Sequence, residues 1–264
     1  MKLRYLVLIF SFIGLRAAEP VDILVQGADK LESTAVVEKL EGAKKTEIGP
    51  FSFWIGHIGP HRVAVMLTGE SVINCVTGTI IGIEEFSPKL IINQGTSGAQ
   101  APYLQLHDII IGERVLDYGN AVMPYRTKGQ ASQPLDWKPI YQQMRLKGGE
   151  LTTLKDGFKG DTAAMEIAMR TRNPWGRVFK GVIGSAHEVN LELDRVKWSH
   201  DTFGMDVEEM ESGHVAAVAA AFNVRYVAFR VVSDAPYEGI TFIAQAARGT
   251  AQFTVNFLHN LPPL

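Results

Sequence analysis

The stretch Ile91-Ile92-Asn93-Gln94-Gly95-Thr96-Ser97-Gly98 decides the fold of this chain. Its first half is a short apolar run that contains β-branched residues, which is typical of a buried strand. Its second half is a turn flanked by glycines, where backbone amides and hydroxyls can approach a ligand closely. A buried strand that ends in such a turn favours an open α/β sheet, in which ligands bind beyond the carboxyl ends of the strands.

Short apolar runs alternate with longer segments of helical period on both sides of this stretch. The alternation predicts a three-layer α/β fold, in which a central twisted, mixed β-sheet is flanked by helices. The predicted strands are residues 21–25, 62–67, 89–93, 108–112, 178–184 and 225–232. The predicted helices are residues 32–40, 72–86, 163–172, 210–222 and 240–258. Residues 123–160 are polar and irregular, so we expect a long excursion there and assign it no chemistry.

The composition limits the function classes that fit the chain. With 264 residues, of which 46% are apolar and 20% are charged, it can bury the core of one large domain. The formal net charge is −2 and there is no long basic or acidic run. This balance argues against binding of nucleic acid or of an anionic membrane surface, and it favours a small-molecule partner. Cys75 is the only cysteine, so no internal disulfide and no thiolate metal cluster can form.

Residues 1–18 have the pattern of a signal peptide. Lys2 and Arg4 supply positive charge, residues 5–15 are almost uninterruptedly apolar, and Ala17-Ala18 follows. The apolar run is short for a membrane-spanning helix. We therefore expect residues 19–264 to form the mature domain, to be exported to the periplasm or secreted, and to have no stable membrane insertion after processing. An uncleaved anchor and a buried strand are the alternatives.

Four segments follow predicted strands and share the order and spacing of a known family. They are Gly27-Ala28-Asp29-Lys30-Leu31-Glu32, the fold-deciding stretch with Ala101-Pro102 and Asp108-Ile109-Ile110 after it, Glu209-Met210-Glu211, and Arg230-Val231-Val232-Ser233-Asp234. Together they resemble the nucleoside phosphorylase and nucleosidase superfamily, and most closely its methylthioadenosine/S-adenosylhomocysteine nucleosidases. The resemblance covers nearly everything after the leader. It implies hydrolysis of the N-glycosidic bond of a purine nucleoside, most closely an adenine nucleoside, with release of the free base.

The resemblance also implies the rest of the enzyme's organisation. It implies a homodimer, in which the neighbouring subunit helps to close the 5′ side of the pocket. It implies neither a metal nor an organic cofactor.

Two carboxyl groups are implied to carry the chemistry, because breaking the bond puts positive charge on the sugar and negative charge on the base. Asp234 would hold a proton for the purine N7, with Ser233 orienting it, which requires a raised pKa or a shared proton. Glu32 would accept a proton from the attacking water, as in inverting glycosidases. The structural alternatives are that Asp234 caps the loop after its strand and that Glu32 complements a helix dipole.

The resemblance places further side chains at the substrate. Glu211 would accept hydrogen bonds from the ribose hydroxyls, Met210 would press against the sugar and base, and Thr96 would contribute a sugar-contacting hydroxyl. The other implied substrate-binding residues are Ser97, Gly98, Glu188, Val189, Glu209 and Arg230. Alternatively, Met210 begins the Ala-rich helix and Glu209 and Glu211 cap its first turn. For Glu188 the alternative is that it begins a surface helix with Glu192 and Asp194.

Hydrolysis is favoured over phosphorolysis. Phosphorylases of the superfamily carry arginines at two places that hold Leu31 and Asn93 in this sequence. The first loop instead supplies Glu32, whose negative charge repels phosphate. A phosphate-dependent phosphorylase stays the alternative because three basic side chains could complete an anion site. They are Lys30, His61 and Arg62.

Several residues depart from the pattern of the nucleosidases. Asp29 stands in place of a methionine and Glu188 in place of an aromatic residue, so the substrate is left open. The segment Gly69-Glu70-Ser71 interrupts a glycine-rich turn, which is expected to narrow the pocket. A second alternative function is therefore a non-catalytic, secreted purine-binding or storage relative, because fold alone does not prove activity.

Overall fold

The computed structural model describes residues 19–141 and 143–264. The strands are β1 (Ile23–Gly27), β2 (Glu41–Ile48), β3 (Phe51–Ile58), β4 (His61–Leu67), β5 (Leu90–Ala99), β6 (Ile109–Asp117), β7 (Ala121–Val122), β8 (Lys138–Pro139), β9 (Gln143–Arg145), β10 (Leu151–Thr153), β11 (Phe158–Lys159), β12 (Val178–Ser185), β13 (Val207–Glu209) and β14 (Arg225–Asp234). The helices are α1 (Lys30–Val37), α2 (Val72–Phe86), α3 (Thr162–Ala168), α4 (Leu193–Phe203), α5 (Ser212–Phe222) and α6 (Ala247–Asn260). Among these helices none is long and apolar enough to cross a membrane.

The predicted three-layer α/β fold is confirmed. The central mixed sheet has the strand order β11-β6-β12-β13-β5-β1-β4-β3-β2, and β14 pairs with both β5 and β6. One face packs its buried side chains against α2 and α5, and the other packs against α1, α3 and α6. Successive residues of β1 alternate between these cores, as a strand buried on both faces requires.

All six predicted strands lie in this sheet, and helix 72–86 is confirmed at both ends. Two other predictions were too short at the site: β5 and β14 run on to Ala99 and Asp234 because they pair with each other along most of their length. The final helix starts later than predicted, since a 3-10 turn at Ala244–Ala246 precedes it. The exposed strand β2, the mostly apolar strand β3 and the short β13 were not predicted. Helix α4 was anticipated only in the alternative for Glu188, as a surface helix with Glu192 and Asp194.

The register of the central strands brings four chain segments to one edge. In the parallel pair β1 and β4, Gly27 lies beside Leu67, so the segments that follow these two strands leave the sheet at the same edge. In the parallel pair β5 and β14, Gly95 lies beside Arg230 and Gly98 beside Asp234. The carboxyl ends of parallel strands meet at this edge, which is where ligands bind in such sheets.

The predicted excursion, residues 123–160, is largely irregular but contains short ordered pieces. Two small two-stranded sheets form, β7 with β8 and β9 with β10. The segment returns to the main sheet through β11, which pairs antiparallel with β6. The excursion is therefore attached to the domain at its far end. The predicted signal peptide, residues 1–18, lies outside the described residues.

Candidate active site

A single concave cavity lies at the carboxyl ends of β1, β5, β13 and β14. Its volume is about 320 Å³, which is in the range of small-molecule sites. Both predicted catalytic residues line it, together with every predicted substrate-binding residue except Arg230. The lining residues are Ala28, Asp29, Leu31, Glu32, Glu70, Thr96, Ser97, Gly98, Glu188, Val189, Leu191, Glu208, Glu209, Met210, Glu211, Ser233, Asp234, Phe242, Ala244 and Ala247.

Glu32 is buried at the start of α1, where the segment turns into the helix. Its Oε2 accepts the amide protons of Ala28 at 2.8 Å and of Asp29 at 3.0 Å, and the Asp29 side chain closes a capping box. Its Oε1 accepts the Thr96 amide at 2.8 Å and lies 3.2 Å from the Thr96 hydroxyl. Burial raises the pKa of Glu32, while Arg230 and the amides oppose that rise. Glu32 therefore caps the helix, as the structural alternative states, and also faces the cavity.

Asp234 ends β14 and is buried in the cavity wall. Its Oδ1 lies 2.8 Å from the Ser233 hydroxyl. In the part of the chain that the structure describes, no backbone amide donates to the Asp234 carboxyl, so the loop-capping alternative is not supported. Burial raises the pKa of Asp234, and the Ser233 hydrogen bond only partly opposes this. A raised pKa favours the protonated form that a general acid needs.

Two glycines of β5 make room for the two carboxyl groups. A Cβ on Gly95 would lie 2.7 Å from Oε1 of Glu32, and a Cβ on Gly98 would lie 2.5 Å from Oδ2 of Asp234. Both distances are shorter than a carbon–oxygen contact allows, so a side chain at either position would displace the facing carboxyl group. Because each residue of a strand advances about 3.3 Å, the two glycines are about 10 Å apart along β5. The acids thus lie at separated points of one cavity.

Arg230 lies behind the cavity wall and not on it. Its guanidinium is fully buried and donates to Glu209, with Nε 3.0 Å from Oε2, and to the side chain of Asn93. Its predicted contact with substrate is therefore not what the structure shows. The pairing with Glu209 explains why Arg230 lies behind the cavity wall, because a buried guanidinium needs a carboxylate partner. Arg230 acts on the cavity through the carboxylates that it neutralises.

Glu209 lines the cavity, but both of its carboxylate oxygens accept hydrogen bonds from the protein. The carboxylate accepts hydrogen bonds from the Ser212 amide, at 2.8 and 3.0 Å, and from the Glu211 amide, at 3.0 Å. It also accepts a hydrogen bond from the Ser185 hydroxyl. Burial would raise the pKa of Glu209, but Arg230 and these donors outweigh burial and lower it. The interpretation of Glu209 as the cap of α5 is confirmed.

Glu211 is the N-cap residue of α5, but its side chain makes no capping hydrogen bond. Its Oε1 receives the Ser71 amide at 3.4 Å, and its Oε2 lies 4.0 Å from the Arg230 guanidinium. Burial, with Glu209 nearby, raises the pKa of Glu211 to about 7. The helix starts at Ser212, so the interpretation that Met210 begins it is wrong, and Met210 lines the cavity.

Ser71 occupies a backbone conformation that glycine normally takes. Its φ is 100° and its ψ is 151°, at the amino end of α2. Such a conformation costs a residue with a side chain about 1–3 kcal/mol. The departure from the glycine-rich turn is therefore accommodated by backbone strain. The strained turn presents the Ser71 amide to Glu211 and places Glu70 on the cavity wall.

Two further carboxylates form the wall on the side of β12 and β13. Glu208 accepts the Tyr118 hydroxyl at 2.7 Å and both nitrogens of Asn190, at 2.6 Å from the backbone and 2.7 Å from the side chain. Burial raises the pKa of Glu208 to about 7, and Glu188 adds to that rise. Helix α4 begins at Leu193, so the interpretation that Glu188 begins a surface helix is wrong.

The excursion reaches this wall through Arg195. The buried Arg195 guanidinium pairs with Glu188 at 3.1 Å and lies over the rings of Trp198, at 4.1 Å, and Trp137, at 5.3 Å. It also donates to the Pro134 carbonyl at 3.3 Å. One side chain therefore joins the excursion, helix α4 and a cavity carboxylate.

Sequence reasoning missed several lining residues. Glu208 was not predicted to line the site, although its place directly before the Glu209-Met210-Glu211 motif was a usable signal. Phe242 fell inside a predicted helix and carried no separate signal. Glu70 was seen only as part of an interrupted turn.

The cavity lies at the carboxyl ends of the central strands and carries carboxyl groups at two separated points, an arrangement that suits cleavage of a bond between a base and a sugar. The model of the Phosphorylase superfamily matches residues 22–258, and the chain belongs to this superfamily. The family that the sequence motifs resembled is therefore confirmed.

Similar proteins include named nucleosidases. The 5'-methylthioadenosine/S-adenosylhomocysteine nucleosidase of Bacillus thuringiensis subsp. konkukian (strain 97-27) is 26% identical over 247 residues, covering 90% of this chain and 99% of that protein. The solved nucleosidase of the same name from Neisseria meningitidis, in complex with methylthio-immucillin-A, has a TM-score of 0.72 at 22% identity and covers 90% of this chain and 99% of its own. The S-adenosylhomocysteine nucleosidase of Streptococcus pyogenes has a TM-score of 0.73 at 19% identity, covering 95% and 100%.

Proposed function

We propose that this chain hydrolyses the N-glycosidic bond of purine nucleosides, with methylthioadenosine, S-adenosylhomocysteine or a related adenine nucleoside as substrate, and releases the free base. One observation carries the proposal: Glu32 and Asp234 line the same cavity, each set against a glycine of β5. The similarity to nucleosidases along nearly the whole chain supports the same reaction.

The reaction needs a proton at the base and a nucleophile at the sugar. Protonated Asp234 gives its proton to the purine N7, so the bond electrons leave on a neutral base. Water then bonds to the anomeric carbon of the cationic sugar, and its proton passes to Glu32. Exchange with solvent returns a proton to Asp234 and removes one from Glu32. The net reaction consumes one nucleoside and one water and yields base and free sugar.

To act as the base, Glu32 needs a free acceptor site for the attacking water. A carboxylate offers about four lone-pair sites. Three of these sites are occupied by the amides of Ala28, Asp29 and Thr96, which the backbone holds in place. The fourth faces the Thr96 hydroxyl, which can rotate. Rotation of that hydroxyl opens Oε1 to the water and leaves the hydroxyl free for the sugar.

The charge of the wall supports hydrolysis over phosphorolysis. Among the described residues that line the cavity, none is Lys, Arg or His. His61 is buried against the Leu261 carbonyl at 2.9 Å, and Arg62 donates to the carbonyl groups of Glu19 and Pro20, so neither reaches the cavity. A phosphate dianion would meet carboxylates without a compensating cation from this chain.

The homodimer is part of the proposal. Apolar side chains stand exposed on α2 and at the cavity rim: Ile73 is 77% exposed and Val189 is 67% exposed. Burial of such side chains favours association, and a partner at the rim would close the cavity. Sedimentation analysis tests this part. A monomer at micromolar concentration would contradict it.

Export is also proposed, from the leader pattern of residues 1–18. Amino-terminal sequencing of protein recovered from the periplasm or medium tests it. A chain that keeps residue 1 and stays inside the cell would contradict it.

The decisive experiment is incubation of the mature protein with methylthioadenosine, S-adenosylhomocysteine, adenosine and inosine, with and without phosphate. We expect release of free base that does not depend on phosphate. Strict dependence on phosphate would indicate a phosphorylase. Binding without release in any mixture would indicate a non-catalytic purine-binding protein.

A further inference from the structure

The cavity wall carries an unusual charge balance. Eight of its residues bear carboxyl groups, whereas none of the described lining residues is basic. Cations stand behind only part of the wall: Arg230 pairs with Glu209 and lies 4.0 Å from Glu211, and Arg195 pairs with Glu188. Of the other carboxyl groups, those of Glu32, Glu208 and Asp234 have hydrogen-bond donors on the protein, whereas Asp29 and Glu70 have no cation beside them among the described residues.

Two of these carboxylates, Asp29 and Glu70, are exposed at the mouth of the cavity. They follow the adjacent parallel strands β1 and β4, in which Gly27 lies beside Leu67, and the Thr68 amide extends the pairing to the Gly27 carbonyl at 2.9 Å. Neighbouring strands are about 4.8 Å apart, so the two acids leave the sheet side by side. Neither forms an ion pair with any residue in the described ranges.

Their position relative to the reacting groups follows from backbone contacts. The Asp29 amide donates to Glu32, and the residue after Glu70 donates its amide to Glu211. Asp29 and Glu70 therefore lie on the side of the cavity that holds the water-activating and sugar-binding carboxylates. Asp234 lies further along β5, at Gly98. When the purine base lies at Asp234, the sugar lies between the base and this side of the cavity. Asp29 and Glu70 then face the 5′ substituent of the sugar.

A second feature of this side points to a ligand that donates hydrogen bonds. Glu211 is only 6% exposed, and the described partner of its Oε2 is the Arg230 guanidinium at 4.0 Å, which is beyond hydrogen-bond distance. A buried carboxylate oxygen normally has a donor. The open oxygen therefore awaits donors from the ligand, as the sugar hydroxyls or a charged group beside them would supply.

We infer that the site selects purine nucleosides whose 5′ substituent carries an ammonium group, over those with a neutral thioether and over those with a carboxylate or phosphate. This inference rests on the proposed hydrolysis and specifies its substrate class. Exposed ion pairs contribute modestly one by one, so the two together should change relative kcat/KM by about three- to tenfold at low salt. Added salt should shrink the difference because both acids are exposed.

The test compares base release from 5′-amino-5′-deoxyadenosine, methylthioadenosine and adenosine 5′-carboxylate, in weakly acidic buffer where the amine is protonated. For the unaltered protein we expect kcat/KM to fall in that order. Glu70→Gln, and then Asp29→Asn with Glu70→Gln, should bring the three values together, mainly through KM. Asparagine can still cap α1, so the double variant keeps the capping residue type.

Glu84→Gln is the matched control, because it removes the same charge from the exposed surface of α2, away from the cavity. It should leave the order of the three substrates intact. Equal kcat/KM for the amine and the thioether, or an order that survives the double substitution, would overturn the inference while leaving hydrolysis standing. Release of no base from any of the three would overturn the proposed function and this inference together.

Discussion

The Thr96 hydroxyl lies 3.2 Å from Oε1 of Glu32, the oxygen that already accepts the Thr96 amide at 2.8 Å. One residue of β5 thus supplies both a fixed donor and a movable donor to the same carboxylate. The fixed donor, the Thr96 amide, holds the carboxylate toward the sugar side. The movable donor, the Thr96 hydroxyl, can rotate away so that water takes its place. The strand that decides the fold therefore also sets the state of the proposed base.

Replacement of Glu32 by glutamine tests the proposed base. Glutamine has one acceptor oxygen, so the amides that now share two oxygens would face an NH₂ group at one end. We expect kcat to fall about 10²- to 10⁴-fold and the free energy of unfolding to fall by about 1–3 kcal/mol. Steady-state kinetics and chemical denaturation measure both.

Glu38→Gln, at the exposed end of the same helix, is the control and should change neither quantity. Unchanged hydrolysis by Glu32→Gln would exclude Glu32 as the base. A loss of stability alone would leave it with only the capping role.

Replacement of Asp234 by asparagine removes the dissociable proton and keeps the shape. We expect turnover of adenine nucleosides to fall about 10²- to 10⁴-fold in a protein that stays folded. In the unaltered enzyme, kcat/KM should fall as pH rises through the raised pKa of Asp234, because the acid then loses its proton. Asp156→Asn, on an exposed loop, is the control. Near-normal turnover by Asp234→Asn would refute the assignment.

Glu208 predicts a pH dependence of stability. Its pKa rises from 4.5 in the unfolded chain to about 7 in the folded protein, mainly through burial. Between these values the unfolded chain releases its proton first, so the free energy of unfolding should fall as pH rises from about 4.5 to 7. The loss amounts to at most about 3 kcal/mol for this carboxyl.

Glu208→Gln should flatten that part of the profile, as measured by urea denaturation across the pH range. Glu192→Gln, on the exposed surface before α4, offers a control whose profile should match the unaltered protein. A profile for Glu208→Gln that keeps the full slope would contradict the buried, protonated state of Glu208.

Arg195→Met should loosen the excursion. The substitution breaks the pair with Glu188 and the stacking with Trp137, and it leaves the partly exposed Glu188 carboxylate without its cation. We expect faster limited proteolysis within residues 123–160 and a weaker, higher-KM reaction. Lys197→Met, which removes an exposed charge from the same helix, should leave both unchanged. Equal cleavage of Arg195→Met and the unaltered protein would show that Arg195 does not hold the excursion.

Sequence patterns predicted the fold best where both faces of a strand are buried. The apolar runs that became β1, β4, β5, β6, β12 and β14 were all visible, and the predicted bounds of helix 72–86 match those of α2. Strand β3 was missed although it is rich in apolar residues, and strand β2 was not visible, because it is exposed and reads as a polar segment. Its strand character comes from pairing with β3, which a local pattern does not show.

The candidate site was predictable as far as its motifs extend. Glu32, Asp234 and Glu211 were found, and the structure brings them to one cavity. The predicted turn at residues 95–98 is wrong as a turn, because these residues continue strand β5 through their pairing with β14, although Thr96, Ser97 and Gly98 do line the cavity. Arg230 was placed at the substrate because its motif adjoins Ser233, whereas its guanidinium is directed behind the wall by Glu209 and Asn93. Contacts between distant segments, such as those of Arg195 with Trp137, depend on tertiary packing and leave no trace in spacing.

The short strand β13 has a consequence for how this chain can vary. It pairs parallel with β12 and antiparallel with β5, so its three residues are fixed from both sides. Neighbouring residues of a strand project to opposite faces, which sends Glu208 to Tyr118 and Glu209 to Arg230. A register slip of one residue in β13 would reverse the faces to which Glu208 and Glu209 project. The carboxylate that Arg230 neutralises and the protonated carboxyl beside Tyr118 would then exchange positions. Lineages of this enzyme can therefore replace residues around β13 far more readily than they can insert or delete one.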